Sequence, residues 1–194
     1  MFSAHPRRPA ALATALVACT VLSGCGPAYP EIPRDAETGG QTLAELEDTL
    51  DAIEGLTFSD VGGSAPNVKG NTGFGVNVTL EEGYQLADPG ALLVFLTESA
   101  WSVRDDHMPN IAIEIRFTGP ADDGIDMTAV GIETGWVPSA SSTPGVADNG
   151  FTSVSVPVAD YATEKGVPEN AVRLGPWPGD VPEVPAGMVV ERRD

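Results

Sequence analysis

Hydrophobic and polar positions recur along this chain at spacings that define its elements. Leu43, Leu46, Leu50 and Ile53 follow one another at three- and four-residue intervals, a single stripe on a helix, while Glu45, Glu47, Asp48, Asp51 and Glu54 fill the other faces. Thr42 stands three residues before Glu45, the spacing of a capping box, and Gly55 offers a C-terminal stop. A helix over 43–54 is predicted. Asp88-Pro89 supplies an N-cap followed by proline at the first helical position, and Leu92, Phe95, Leu96, Ser99 and Val103 continue at helical spacing. That second helix, over 89–103, is richer in apolar residues and is expected to be the more deeply buried.

Strands show as alternation. Phe74, Val76, Val78 and Leu80 alternate with Gly75, Asn77 and Thr79; Ile111, Ile113, Ile115 and Phe117 alternate with Ala112, Glu114, Arg116 and Thr118. Residues 125–134 read as the hairpin partner of the latter, across turn residues 119–124. Val154, Val156 and Val158 form a further run, which Pro157 marks as an edge strand. A short strand is expected within 58–68, a loop over 135–150, a helical turn at 160–165 and a closing strand at 188–191. Strands with one polar face favour an antiparallel or mixed sheet. The fold class predicted is α+β: a two-layer sandwich, with two helices on one face of the sheet, forming a single domain over 42–194.

The first 25 residues follow a different logic. Arg7 and Arg8 precede an uncharged, mostly apolar run over 9–22, the right length for a signal h-region and short of the ~20 residues that span a bilayer. Leu22-Ser23-Gly24-Cys25 closes the segment. These residues resemble the lipobox of bacterial lipoproteins at all four positions. The resemblance implies that Cys25 receives a diacylglycerol through a thioether, that the Gly24–Cys25 bond is cut, and that many bacteria then acylate the new amino terminus with a fatty acid such as palmitate. It further implies residues 1–24 as signal peptide, and attachment to the outer face of the cytoplasmic membrane. Two acyl chains hold stably where one holds only marginally, so no basic patch is needed. Residues 26–41, rich in Pro and Gly and without apolar periodicity, read as a flexible tether behind the anchor.

Net charge is −18. Arg7 and Arg8 are the basic residues before Cys25 and no acid precedes it, so loss of the leader makes the remainder more acidic by two charges. Such a surface repels phosphate backbones, which excludes nucleic acid as the expected partner. It also attracts cationic partners at long range. Both cysteines, Cys19 and Cys25, lie in the N-terminal segment, so the domain has neither a disulfide framework nor a thiolate metal site.

Candidate chemistry is sparse. His107 is the one imidazole after the leader, in Arg104-Asp105-Asp106-His107 between a helix and a strand. A nucleophile–base pair needs that imidazole in a specific geometry, and a loop position suits it equally to surface structure. Asp105, Asp106 and His107, and separately Asp122, Asp123 and Asp126, group metal-ligating types, but without calcium-loop spacing, and in stretches where turns use Asp anyway. Trp101 is expected in the helix core; Trp136 and Trp177, flanked by Gly or Pro, are better candidates for exposure. No catalytic residue, metal ligand or cofactor other than the covalent lipid on Cys25 is assigned. The expected function is a non-catalytic binding or interaction module held at the membrane, with an envelope protein or cell-wall partner. The alternatives are a carboxylate-dependent envelope enzyme and a metal-ion binder using the acidic loops.

Overall fold

The computed structural model describes residues 32–139, 145–158 and 167–193. It is an α+β sandwich. A four-stranded sheet is built from β1 (Leu56–Gly63), β2 (Gly73–Leu80), β4 (Ala112–Thr118) and β5 (Phe151–Pro157), in the order β1-β2-β4-β5. The outer pairs are antiparallel and the central β2–β4 pair is parallel. A parallel pair needs a long crossover, and α2 (Pro89–Ser102) lies within it. β3 (Tyr84–Leu86) leaves the main sheet and pairs with the C-terminal β6 (Val189–Glu191).

Period-two patterning decides which face is covered. Phe74, Val76 and Val78 of β2, Ile113, Ile115 and Phe117 of β4, and Val154 and Val156 of β5 are all buried. Fully burying a side chain of this size contributes about 1.5–3 kcal/mol. α1 (Leu43–Asp51) lies against β1, α2 against β2 and β4, and α3 (Met127–Glu133) against β5. α1 starts where the sequence places it, because both halves of the Thr42–Glu45 capping box are formed. Its stripe buries Leu46 and Leu50. α2 is buried on most sides, as its composition requires, and begins where Asp88 accepts the Ala91 N–H at 2.8 Å.

Three expectations are corrected. Residues 125–134 are not a strand: they hold α3, a third helix on the covered face. Asp126 accepts the Thr128 and Ala129 N–H groups there, and this cap outweighs the β-branched content that suggested a hairpin. The antiparallel partner of β4 is β5, reached through the α3 connection. Residues 33–41, read as the distal part of a tether, run along the domain. Pro33 O accepts the Met108 N–H, Arg34 bridges to His107, Ala36 donates to Arg104 O, and buried Gln41 donates to Ser102 Oγ at 2.8 Å. Gly39 and Gly40 supply the positive φ angles this path needs. α4 (Val167–Leu174) went unpredicted, and the turn expected at 160–165 lies outside the described residues.

Candidate functional site

The face of the sheet away from the helices is polar and open. Alternation sends Asn77, Glu114, Arg116, Ser153 and Ser155 to this side, while their apolar neighbours go to the core. Register then brings them together: Asn77 pairs with Arg116 across the parallel pair, and Glu114 with Ser155 across the antiparallel one. Arg116 lies flat along its own strand, with Nε and Nη2 on the two Glu114 oxygens at 3.1 and 2.6 Å, a bidentate arrangement. Its Nη1 donates to Asn77 Oδ1 at 3.3 Å, and Asn77 Nδ2 donates to Asp60 at 2.6 Å. Asp60 sits at a bulge in β1 with φ 49°, where the β1–β2 register shifts between Ser59 and Gly62.

Beside this network the sheet hollows into a cleft of about 510 Å³, floored by Gly62, Gly63, Gly73 and Gly75 and walled by Ser64, Asn67, Glu114, Arg116 and Ser155. Its charged groups are already paired with one another, so the cleft offers neutral hydrogen-bonding capacity rather than charge. Ser64 Oγ accepts the Gly73 N–H at 2.9 Å and thereby fixes the rim.

A second concavity, of about 620 Å³, lies between the C-terminal end of α1 and the segment leading into β6. Ala52, Ile53, Val184, Pro185, Met188 and Val189 make it apolar, and Asp48 and Glu54 stand at its rim. Glu54 accepts the Tyr84 hydroxyl at 2.8 Å; that bond, which favours the protonated phenol, raises the Tyr84 pKa.

Asp105, Asp106, Asp123 and Asp126 have structural duties. Asp105 accepts the Leu43 N–H at 2.8 Å, and Asp106 accepts from Gly63 at 2.9 Å and from His107 at 2.7 Å. His107 is half-buried with Nδ1 3.6 Å from Asp106, and it lies outside the lining of both concavities. Asp122, Asp123 and Asp126 diverge in role. Asp126 caps α3, and Asp123 holds Arg192 at 2.6 Å, an interaction that raises the Arg192 pKa. Among the described residues no group of three or more His, Cys, Asp or Glu is placed to hold a metal ion. Trp101 is buried as expected. Trp136, expected nearer the surface, is only 5% exposed, with the Arg173 guanidinium 5.0 Å from its ring centroid. Trp177 is half-buried against the core. Gly24 and Cys25 lie outside the described residues, and no helix among those described is long and apolar enough to cross a membrane.

Sequence reading missed the Arg116 network. Alternation puts Asn77, Glu114 and Arg116 on the outer face, but their meeting depends on the β2–β4 register, which no local pattern encodes. No protein-family profile, curated protein or solved structure matches this chain.

Proposed function

We propose that this chain is a lipid-anchored extracytoplasmic lipoprotein whose α+β domain serves as a non-catalytic binding module. One observation carries the anchor: Leu22-Ser23-Gly24-Cys25 stands directly behind Arg7-Arg8 and the apolar run over 9–22. The short spacing to the domain suits such an anchor. Among the described residues the first backbone pairing with the domain is at Pro33, eight positions after Cys25, so the chain between these two positions reaches at most about 29 Å. A domain on so short a leash meets partners close to the membrane surface. The binding reading is supported by two concave surfaces on one domain, and by Asp105, Asp106 and Asp126 being occupied with backbone N–H groups.

The test is metabolic labelling with a clickable palmitate, comparing the wild-type chain with Cys25→Ser. Label and membrane fractionation confined to the wild type support the anchor. Unlabelled wild-type protein recovered in the medium removes it.

A further inference from the structure

The groove beside α1 combines two features that are ordinarily kept apart, an apolar floor open to solvent and a helix C-terminus crowded with acids. The last four backbone carbonyls of a helix and its macrodipole favour cations at that end. α1 has none in its last turn. It carries Asp48 and Asp51, followed by Glu54, all exposed, and no Lys or Arg occurs anywhere between Arg34 and Lys69. Arg104 acts on Glu45, at the opposite end of the helix. Arg192, just beyond β6, is committed to Asp123. Negative charge is therefore concentrated where the helix's own field opposes it, around a floor of Ile53, Pro185 and Met188 with Val184 left 43% exposed. A local violation of this kind marks a surface kept for something other than stability.

We propose that this groove docks a basic peptide segment of a partner protein, which seats an apolar side chain between α1 and Val184 and places Lys or Arg groups against Asp48, Asp51 and Glu54. Charge complementarity selects this occupant, since the rim and the helix end are negative together. The groove also lies at the end of α1 remote from Asp105 and the Pro33–Met108 corner, which nine helical residues separate by about 13 Å. The inference rests on the binding-module reading and supplies its partner class.

The test uses the full chain as cells produce it, with a fluorescein-labelled peptide of alternating lysine pairs and single leucines as probe, read by anisotropy. Wild type is expected to bind saturably and to weaken as salt rises. Asp48→Lys with Glu54→Lys, and separately Val184→Asn, should each weaken binding by about tenfold. Glu133→Lys with Asp180→Lys, equal in charge change but elsewhere, should leave most of the affinity. Lysines near a helix C-terminus favour the helix, while Glu54→Lys gives up the exposed bond from the Tyr84 hydroxyl, so the Asp48/Glu54 variant should melt within a few degrees of wild type, which separates lost binding from lost folding. Affinity that follows net charge alone, or no saturable binding, overturns the groove. A membrane partner still captured after the groove substitutions also overturns it, while leaving the binding module standing.

Discussion

Asp105 accepts the backbone N–H of Leu43 at 2.8 Å, so the loop that leaves α2 caps the first turn of α1 across 62 residues of sequence. The next residue repeats the arrangement, with Asp106 holding the Gly63 N–H at the end of β1. The two carboxylates thus fasten α1 and β1 to one loop. Asp105→Ala is expected to cost about 1 kcal/mol, the scale of a lost N-terminal cap. Asp106→Ala should cost about 1–3 kcal/mol, because the half-buried loop loses an acceptor for two N–H groups. Urea denaturation measures both. A rise of the wild-type midpoint on adding Ca²⁺ would show the carboxylates serving a metal ion instead.

These aspartates show where sequence reading stops. Alternation and helical stripes place β2, β4, β5, α1 and α2, because each is a local consequence of one buried face. Asp105 and Asp106 look the same in sequence whether they hold an ion or a backbone N–H, since the distinction depends on what the fold brings alongside. The error at 125–134 has the same root. Ile125, Met127, Val130 and Ile132 suit a strand by composition, and it took the Asp126 cap and packing on β5 to make the segment helical. The Asn77–Arg116 contact and the α1 groove are longer-range still. One depends on strand register, and the other on a C-terminal segment that returns to α1 from more than 130 positions away.

The docked path of residues 33–41 depends on Gly40. Its φ is +55°, and a Cβ there would run into the Ser102 carbonyl oxygen and the Pro178 ring. Gly40→Ala therefore combines left-handed strain with a backbone clash and should destabilise the domain by about 1–3 kcal/mol. Hydrogen exchange at Gln41 and Arg104, whose amides bond across this junction, should rise in the variant. Unchanged protection at both amides would show that the segment's attachment does not depend on Gly40.

Glu98 gives a signed pH dependence. It sits on α2 in a hollow of about 230 Å³ shared with Trp101, Arg173 and Asp180, and burial raises its carboxyl above the ordinary value of 4.5. The folded state therefore holds this proton more tightly than the unfolded state. Its contribution to stability is fully present below the unfolded pKa and is lost as pH rises through the folded one. Glu98→Gln removes the titration. The variant should melt above wild type at neutral pH, with the gap closing as pH falls below 4.5. A gap that persists in acid would assign the difference to packing rather than to the half-buried carboxylate.

Asn170 is a buried polar position that ties three elements together. It is 1% exposed, and its Nδ2 donates to Trp136 O and Pro157 O, both at 2.8 Å, tying α4 to the end of α3 and to β5. Two carbonyls converge on one amide, so only a donor satisfies them. Asn170→Leu keeps the approximate volume but orphans both carbonyls, and should cost about 1–3 kcal/mol. Asn170→Asp is nearly isosteric yet sets an unpaired carboxylate against two carbonyl oxygens, and at neutral pH it should cost more, about 3–5 kcal/mol. Protonation gives that carboxyl one O–H donor, and burial among acceptors raises its pKa in the folded state. The aspartate variant should therefore recover toward wild type as pH falls through the raised value, whereas the leucine variant should show a constant deficit. Denaturation midpoints across a pH series distinguish the two, and parallel curves would mean that the amide's donors are not what hold α4 in place.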